Sequence, residues 1–163
     1  DIIERIERDE LFMQMLSGKK QEIMTGEING VPFKIKIDSL LPNMTVDLKI
    51  MRDCSDSWKD GELLPFWKAW DCDIQAAIYR EIRAQNDGDI KPFRLAVATK
   101  ETEPDLQIYE FTDETLDEAY QTVYNLAPRF EAIKNGEIEP IRCGNCDYCK
   151  ATKILRNEDI RRI

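Results

Sequence analysis

Two runs of alternating side chains, separated by a turn signal, constrain the fold more than any other feature of the sequence. Apolar and polar residues alternate over 33–38 and again over 46–51, which predicts two strands that each have one apolar and one polar face. Pro42-Asn43 favours a turn between them. If the hairpin is symmetric about this turn, Asp38 lies opposite Asp47, with Cβ atoms roughly 5 Å apart.

The spacing of apolar residues over the rest of the chain predicts further helices and strands, so that this hairpin is part of a larger sheet. A second turn signal, Asn29-Gly30, divides the strands that begin near Gln21. The predicted helices cover 2–16, 67 to about 83, and a stretch from Thr112 or Asp113 with Leu116, Ala119, Tyr120, Val123, Ala127 and Phe130 facing inward. The second helix has an apolar stripe that includes Trp67, Trp70 and Ile74, and Asn86-Asp87-Gly88 signals its end. Further strands are predicted at 93–99 and 106–111, with a connecting loop at 52–66. This order predicts an α/β (α+β) fold with a mixed central β-sheet flanked by helices.

The amino-acid composition excludes several kinds of catalytic site and favours one cellular compartment. The chain of 163 residues has a net charge of -9 and no histidine, which excludes Ser-His-Asp catalysis, Cys-His catalysis and histidine-ligated zinc. The net negative charge argues against a protein that binds nucleic acid along its whole surface. A DNA enzyme, however, needs a favourable electrostatic potential only near its active site. Five cysteines suit a reduced, cytoplasmic setting, and no apolar run is long enough to span a membrane. Because the chain starts at Asp1 and not at Met, we expect an N-terminal segment upstream.

The acids Asp38 and Asp47 are the candidate centre of that chemistry. Like charges that face each other across a hairpin destabilise it, and a divalent cation between them would offset the repulsion. Hard oxygen ligands at this spacing suit Mg²⁺ or Mn²⁺, and the backbone carbonyl of Leu48 is a further candidate ligand. Lys49, opposite Lys36, leaves the same strand face as Asp47, where an ammonium group can position a metal-bound water or neutralise a phosphate. The alternative is that both acids are solvated strand residues paired with the two lysines.

The order of these motifs resembles the PD-(D/E)xK nuclease superfamily. "GEINGVPFKIKID", then "DLK", then a helix carrying "QAAIY" is most similar to the RecB/RecE-like branch, which includes phage-type recombination exonucleases. The resemblance implies a restriction-endonuclease-like core in which Asp38 and Asp47 hold metal and Lys49 is the catalytic lysine. Gln75 and Tyr79 match the Q-x-x-x-Y pair of that branch, and positions four apart share one helix face.

The resemblance covers residues 26–153. One metal ligand that many members of the superfamily have is not identified in this sequence. Many members place a His or Glu on an early helix as an extra metal ligand, and the candidates here are Glu4, Glu7, Glu10 and Glu22. The expected organisation is a nuclease core over 1–140 and a cysteine-containing tail over 141–163 that packs on the same domain.

Three cysteines in the tail, Cys143, Cys146 and Cys149, form a C-x-x-C-x-x-C pattern. Zinc sites and [4Fe–4S] clusters usually need four ligands. Some RecB-like relatives bind an iron–sulfur cluster with three C-terminal cysteines and a distant N-terminal one. By this resemblance the tail would hold a cluster or Zn²⁺, with Cys54 or Cys72 as candidate fourth ligands. The alternative is three reduced thiols in a surface turn.

Three functions are therefore open. The resemblance implies a Mg²⁺- or Mn²⁺-dependent DNA exonuclease that processes DNA ends in phage-type recombination. Relatives of this type commonly form homo-oligomers or act with a single-strand annealing protein. The alternatives are a non-catalytic DNA- or protein-binding module on a nuclease fold, and a zinc or iron–sulfur interaction domain centred on the tail.

Overall fold

The computed structural model describes residues 1–162. The helices are α1 (Ile2–Glu7), α2 (Glu10–Met15), α3 (Phe66–Ala69), α4 (Cys72–Asp87), α5 (Asp113–Lys134) and α6 (Asp147–Ala151). The strands are β1 (Lys19–Ile28), β2 (Val31–Leu41), β3 (Met44–Met51), β4 (Ser57–Lys59), β5 (Glu62–Leu64), β6 (Phe93–Thr99) and β7 (Leu106–Glu110). The chain forms two compact units, Asp1–Pro128 and Arg129–Ile163. No helix within 1–162 is long and apolar enough to cross a membrane.

A five-stranded mixed sheet organises the first unit, in the order β1-β2-β3-β6-β7. β3 and β6 are parallel, whereas the other neighbours are antiparallel. This confirms the predicted fold class of a mixed sheet flanked by helices. The loop predicted at 52–66 is wrong, because β4 and β5 pair there as a separate hairpin. Asp60 and Gly61 form its turn with φ angles of 52° and 91°.

The two faces of the sheet are buried under different helices. On one face, Phe12 and Met15 of α2 pack with residues of β3 and β6. On the other face, α3 and α4 pack on Leu95 and Val97 of β6, and α4 and α5 pack on Ile35 and Ile37 of β2. Because successive residues of a strand point to opposite faces, burial on both sides explains why β6 is apolar from Leu95 to Ala98.

The helix predicted over 2–16 and the central helix predicted to end near 83 are each interrupted at an aspartate. α1 ends before Asp9, whose carboxylate accepts the backbone N–H of Phe12 at 2.9 Å and so caps α2. α3 and α4 are separated at Asp71, which has a left-handed φ of 54°. Trp70 is therefore not part of the buried helical stripe and is 65% exposed. Gly88 ends α4 in the left-handed conformation, as the sequence predicts.

The long helix α5 follows the prediction over its first half and departs from it near Pro128. Thr112 Oγ1 accepts the N–H of Thr115 at 3.3 Å and caps the helix. Leu116, Ala119, Val123 and Ala127 are buried as predicted, whereas Phe130 is 62% exposed and its inward assignment is wrong. Pro128 has no N–H for the carbonyl of Tyr124, and Asn29 Nδ2 donates to that carbonyl at 2.8 Å.

Candidate active site

Asp47 and Lys49 of β3 form an ionic contact on the sheet face that α4 covers. They pair in register with Leu95 and Val97 of β6, whose side chains pack under α3 and α4. Asp47 is 4% exposed, and its Oδ2 lies 2.8 Å from Lys49 Nζ. The structure thus brings together the two side chains that strand alternation places on one face. Asp47, however, is buried and not solvated.

Gln75, in the first turn of α4, bridges the two charged groups. Its Nε2 donates to Asp47 Oδ1 at 2.7 Å, and its Oε1 accepts from Lys49 Nζ at 2.7 Å. The amide therefore fixes the orientation of the carboxylate and of the ammonium group at the same time. Gln75 thus reaches both strand residues from the helix.

The two oxygens of the Asp47 carboxylate have different partners. Oδ1 accepts from Gln75 Nε2, whereas Oδ2 lies 2.8 Å from the ammonium group of Lys49. Burial raises the pKa of Asp47 above its ordinary value; the contact with Lys49 lowers it, and the negative charge of Asp38 raises it. A buried carboxylate near a second carboxylate offers the oxygen ligands that a hard divalent cation prefers.

Asp38 reaches the site by a route that differs from the predicted register. The β2–β3 ladder follows the prediction from Leu41 opposite Met44 to Ser39 opposite Val46, and it ends there. Asp38 is therefore not a ladder partner of Asp47, and the predicted direct pair is wrong. Asp38 Oδ2 accepts the backbone N–H of Leu48 at 3.0 Å, where the two strands have separated.

The bond from Leu48 also orients its carbonyl. In an extended strand the N–H and C=O of one residue point to the same side. The carbonyl oxygen of Leu48 is therefore directed toward Asp38 and away from β6. The odd-numbered residues of β3 point their backbone groups the other way, toward β6 and the residues that flank it. The N–H of Thr45 donates to the carbonyl of Pro92, and the carbonyl of Met51 accepts the N–H of Lys100.

Gln21 is a site residue that the sequence analysis missed. Its Nε2 donates to Asp38 Oδ1 at 2.9 Å, so both carboxylate oxygens of Asp38 are held. The β1–β2 ladder pairs Lys20 with Ser39 and Glu22 with Ile37 on either side of this position, and Gln21 itself has a φ of 56°. The sequence contained enough information to find Gln21, because a hairpin that is symmetric about Asn29-Gly30 places Gln21 opposite Asp38.

Tyr79 lies one helical turn after Gln75 and ties α4 to β2. Its hydroxyl donates to the backbone carbonyl of Lys36 at 3.0 Å. Lys36 is exposed, and its predicted pairing with Lys49 is wrong, because the β2–β3 ladder ends at Ser39. The Gln75 and Tyr79 side chains thus fix the helix to the two strands that carry Asp47 and Asp38.

The candidates for an additional acidic ligand lie in two places. Glu4, Glu7 and Glu10 belong to α1 and α2, which cover the sheet face opposite Asp47. Glu22 pairs with Ile37 and shares the face that α4 covers. Within 1–162, no group of three acidic ligand atoms is close enough to hold an ion.

The three tail cysteines are brought together, in the second unit. The sulfur atoms of Cys143, Cys146 and Cys149 all lie within 4.8 Å of one another and could bind a metal ion. Backbone N–H groups that donate to its sulfur hold the pKa of Cys143 at about 7, below the ordinary 9.0. Both candidate fourth ligands lie in the first unit. Cys72 is buried with Phe66 and Leu95 in its core, and Cys54 packs at the edge of the same cluster.

Comparisons with known proteins agree with this fold. A family model described as "PDDEXK-like domain of unknown function (DUF3799)" matches residues 1–152. The crystal structure of a "Putative exonuclease" from Eubacterium rectale matches with a TM-score of 0.86 and 50% sequence identity, covering 95% of this chain and 59% of that chain. The present chain thus spans about three-fifths of the length of that protein. No curated protein matches.

Proposed function

Because the chain belongs to the family of PDDEXK-like domains, we propose that it is a metal-dependent exonuclease that hydrolyses phosphodiester bonds of DNA. Its mixed sheet between helices is the restriction-endonuclease-like core of a nuclease. The observation that carries the proposal is the buried Asp47 carboxylate, whose Oδ2 lies 2.8 Å from the Lys49 amine that Gln75 holds in place. The Asp38 carboxylate is near enough to raise the pKa of Asp47.

Asp38, Asp47 and the backbone carbonyl of Leu48 are the groups that would hold Mg²⁺ or Mn²⁺. All three offer oxygen atoms, which these ions prefer. When bound, such an ion supplies Lewis-acid activation of the attacking water and of the phosphate. Gln21 and the N–H of Leu48 keep Asp38 in one orientation.

The other residues of the site act on the phosphate and on the geometry. Lys49 places a positive charge where negative charge develops as water attacks phosphorus and the 3′-oxygen leaves. Gln75 is a positioning residue, because it binds Lys49 and Asp47 and holds both in place. Tyr79 fixes α4 against the strand that carries Asp38. These roles correspond to those that the sequence resemblance implies.

The biological setting is part of the same proposal. Digestion from DNA ends, a role in phage-type recombination, action with a single-strand annealing protein and assembly into a homo-oligomer are consistent with the similarity to a "Putative exonuclease". A cytoplasmic location would suit a protein with five free cysteines. Contacts with DNA phosphates would come from exposed cations such as Lys34 and Lys36, which alternate along β2 with buried isoleucines.

A nuclease assay on matched variants tests the proposal. Purified protein is incubated with end-labelled linear duplex and with covalently closed circular DNA, in Mg²⁺, Mn²⁺ or chelator. We expect linear DNA alone to be degraded, only with metal, and Asp47→Asn or Lys49→Ala to lower the rate at least about 100-fold. Lys59→Ala is the matched control, because it removes an ion pair between Lys59 and Asp71 at the surface. Undiminished degradation by Lys49→Ala would rule out the assignment.

A second function, DNA binding without cleavage, is favoured by one observation. Within 1–162 no third acidic side chain joins Asp38 and Asp47, so that metal binding could be too weak for hydrolysis. Gel-shift measurements on the same linear duplex distinguish the two functions. Tight binding with intact DNA in every metal tested would select the binding module, whereas metal-dependent shortening of the duplex would select the nuclease.

A further inference from the structure

The tail cysteines converge because a tight turn is followed at once by a short helix. Gly144, with a φ of 75°, reverses the chain after Cys143. Cys146 then precedes α6, and Cys149 lies in that helix and is buried. The sulfur atoms of Cys143 and Cys149 are 3.8 Å apart, and all three sulfurs lie within 4.8 Å of one another.

We propose that Cys143, Cys146 and Cys149 bind a single Zn²⁺ ion in a mononuclear thiolate site. This site is separate from the proposed nuclease centre and does not depend on it. Thiolate sulfurs bond Zn²⁺ at about 2.3 Å in tetrahedral geometry, which places two sulfurs of one site roughly 3.8 Å apart. The observed separation of the Cys143 and Cys149 sulfurs has this value.

The same distances disfavour the other uses of clustered cysteines. In a four-iron cluster each thiolate is bonded to a different iron atom, so that the cysteine sulfurs stand on separate corners and lie further apart than around one ion. A disulfide needs sulfurs at about 2.0 Å, and all three of these cysteines are free. One ion in contact with all three sulfurs fits the geometry best.

The backbone around the sulfurs is arranged as a ligand loop. The N–H of Cys146 donates to Cys143 Sγ at 3.3 Å, and the N–H of Cys149 donates to Cys146 Sγ at 3.4 Å. Such donors stabilise negative charge on sulfur, and the thiolate is the form that binds metal. The loop is closed by Arg142, which donates to Thr152 Oγ1 at 2.7 Å and lies over the ring of Tyr148 at 5.5 Å.

The fourth coordination position is left to water or to a ligand from elsewhere. The chain contains no histidine, and within 1–162 no further Cys, Asp or Glu ligand atom joins the group. Three protein thiolates with one exchangeable position make an accessible site, in agreement with the exposure of Cys143 and Cys146. We therefore expect chelators to remove the ion without denaturant.

The ion would fix the most basic part of the chain. The tail carries Arg142, Lys150, Lys153, Arg156, Arg161 and Arg162 against Asp147, Glu158 and Asp159, whereas acids outnumber bases over 1–140. Because the ion would link the residue before the turn to α6, it would hold Arg142 and Lys150 in a defined arrangement. The role proposed for the ion is to fix this arrangement, and the open fourth position distinguishes the site from structural zinc sites with four protein ligands.

Metal analysis of the full chain, purified in reducing buffer, tests the site. We expect about one zinc per chain, lost from Cys143→Ser, Cys146→Ser and Cys149→Ser. Cys54→Ser and Asp47→Asn are the matched controls and should keep it, the second because zinc bound at the nuclease centre would depend on Asp47. Zinc retained by Cys146→Ser, zinc lost from Asp47→Asn, or iron with inorganic sulfide in place of zinc would each overturn the proposal.

Cobalt substitution gives a readout that does not depend on the folding of variants. The metal-free parent protein is titrated with Co²⁺. We expect thiolate-to-cobalt charge-transfer absorption and tetrahedral d–d bands that saturate at about one equivalent and vanish on adding Zn²⁺. Absence of these bands in the reduced parent protein would refute the site.

Discussion

Gln75→Ala removes the one side chain that holds both charges of the candidate active site. Asp47 Oδ1 loses its amide donor and Lys49 Nζ loses an acceptor. Water can replace the acceptor, because the Lys49 side chain is 30% exposed, whereas the Asp47 side chain is 5% exposed and its surroundings offer little water to replace the donor. One bond to a charged group is therefore lost without replacement, which corresponds to about 1.5–3 kcal/mol. Loss of a group that orients a metal ligand typically lowers metal affinity or activity by about 10–100-fold.

Two measurements on the same variant separate folding from function. Urea unfolding of the metal-free protein gives the free energy of unfolding, and the nuclease rate is followed as a function of Mn²⁺ concentration. Gln85→Ala is the matched control, because Gln85 lies on the same helix and binds the backbone N–H and C=O of Glu27 at 2.9 and 2.8 Å, away from the site. We expect both variants to lose stability and only Gln75→Ala to need more Mn²⁺. Identical Mn²⁺ dependence in the two variants would refute the positioning role.

Two further predictions concern buried groups outside the reaction. Burial raises the pKa of Cys72 to about 11 from 9.0, so that between these values the unfolded chain loses the proton first and stability falls as pH rises above about 9. Cys72→Ala should remove about 1.4 kcal/mol of that loss at pH 10, as measured by urea unfolding at pH 7.5 and 10. Arg83, 2% exposed, binds Thr45 Oγ1, the Leu41 carbonyl and Asp87. Arg83→Met should therefore cost about 3 kcal/mol of unfolding free energy, and a midpoint equal to that of the parent would contradict this.

The sheet was predictable from sequence because its strands obey local rules. Alternation over β2 and β3 and the Asn29-Gly30 and Pro42-Asn43 signals located both hairpins. The β1–β2 ladder is symmetric about its turn along its length, whereas the β2–β3 ladder keeps the predicted register only from Leu41 to Ser39. The β4–β5 hairpin also carried a local signal, since Asp60-Gly61 is a dipeptide that favours a two-residue hairpin turn. It was missed because strands of three residues are too short to show alternation.

Helix continuity was harder to predict, because it depends on competition between apolar spacing and capping. The spacing over 2–16 is compatible with one helix, yet Asp9 forms a side-chain cap with Phe12 and begins a new one. Phe130 illustrates the opposite error, since its spacing fits the buried stripe of α5 but it lies beyond Pro128, where the first compact unit ends.

The site itself divides into a predictable and an unpredictable part. Asp47 and Lys49 share a face by strand alternation, and Gln75 follows from its place on the helix. The position of Asp38 could not follow from symmetric pairing, because the β2–β3 ladder ends at Ser39. Beyond that point the acid is placed by Gln21 and by the N–H of Leu48, which are contacts that periodicity does not encode.

The pairing of Lys49 with Asp47 predicts that DNA and metal bind cooperatively. In the metal-free site Lys49 is the cation that offsets the buried charge of Asp47. A divalent ion on Asp47 would take over this role and would repel the ammonium group, which costs metal affinity unless an anion is near. A DNA phosphate supplies that anion, and by linkage each ligand tightens the other by the same factor. Titration of Mn²⁺ with and without a cleavage-resistant phosphorothioate duplex should show several-fold tighter metal binding with DNA, and Lys49→Ala should lose most of this gain. An equal gain in Lys49→Ala would show that the coupling runs through other charges.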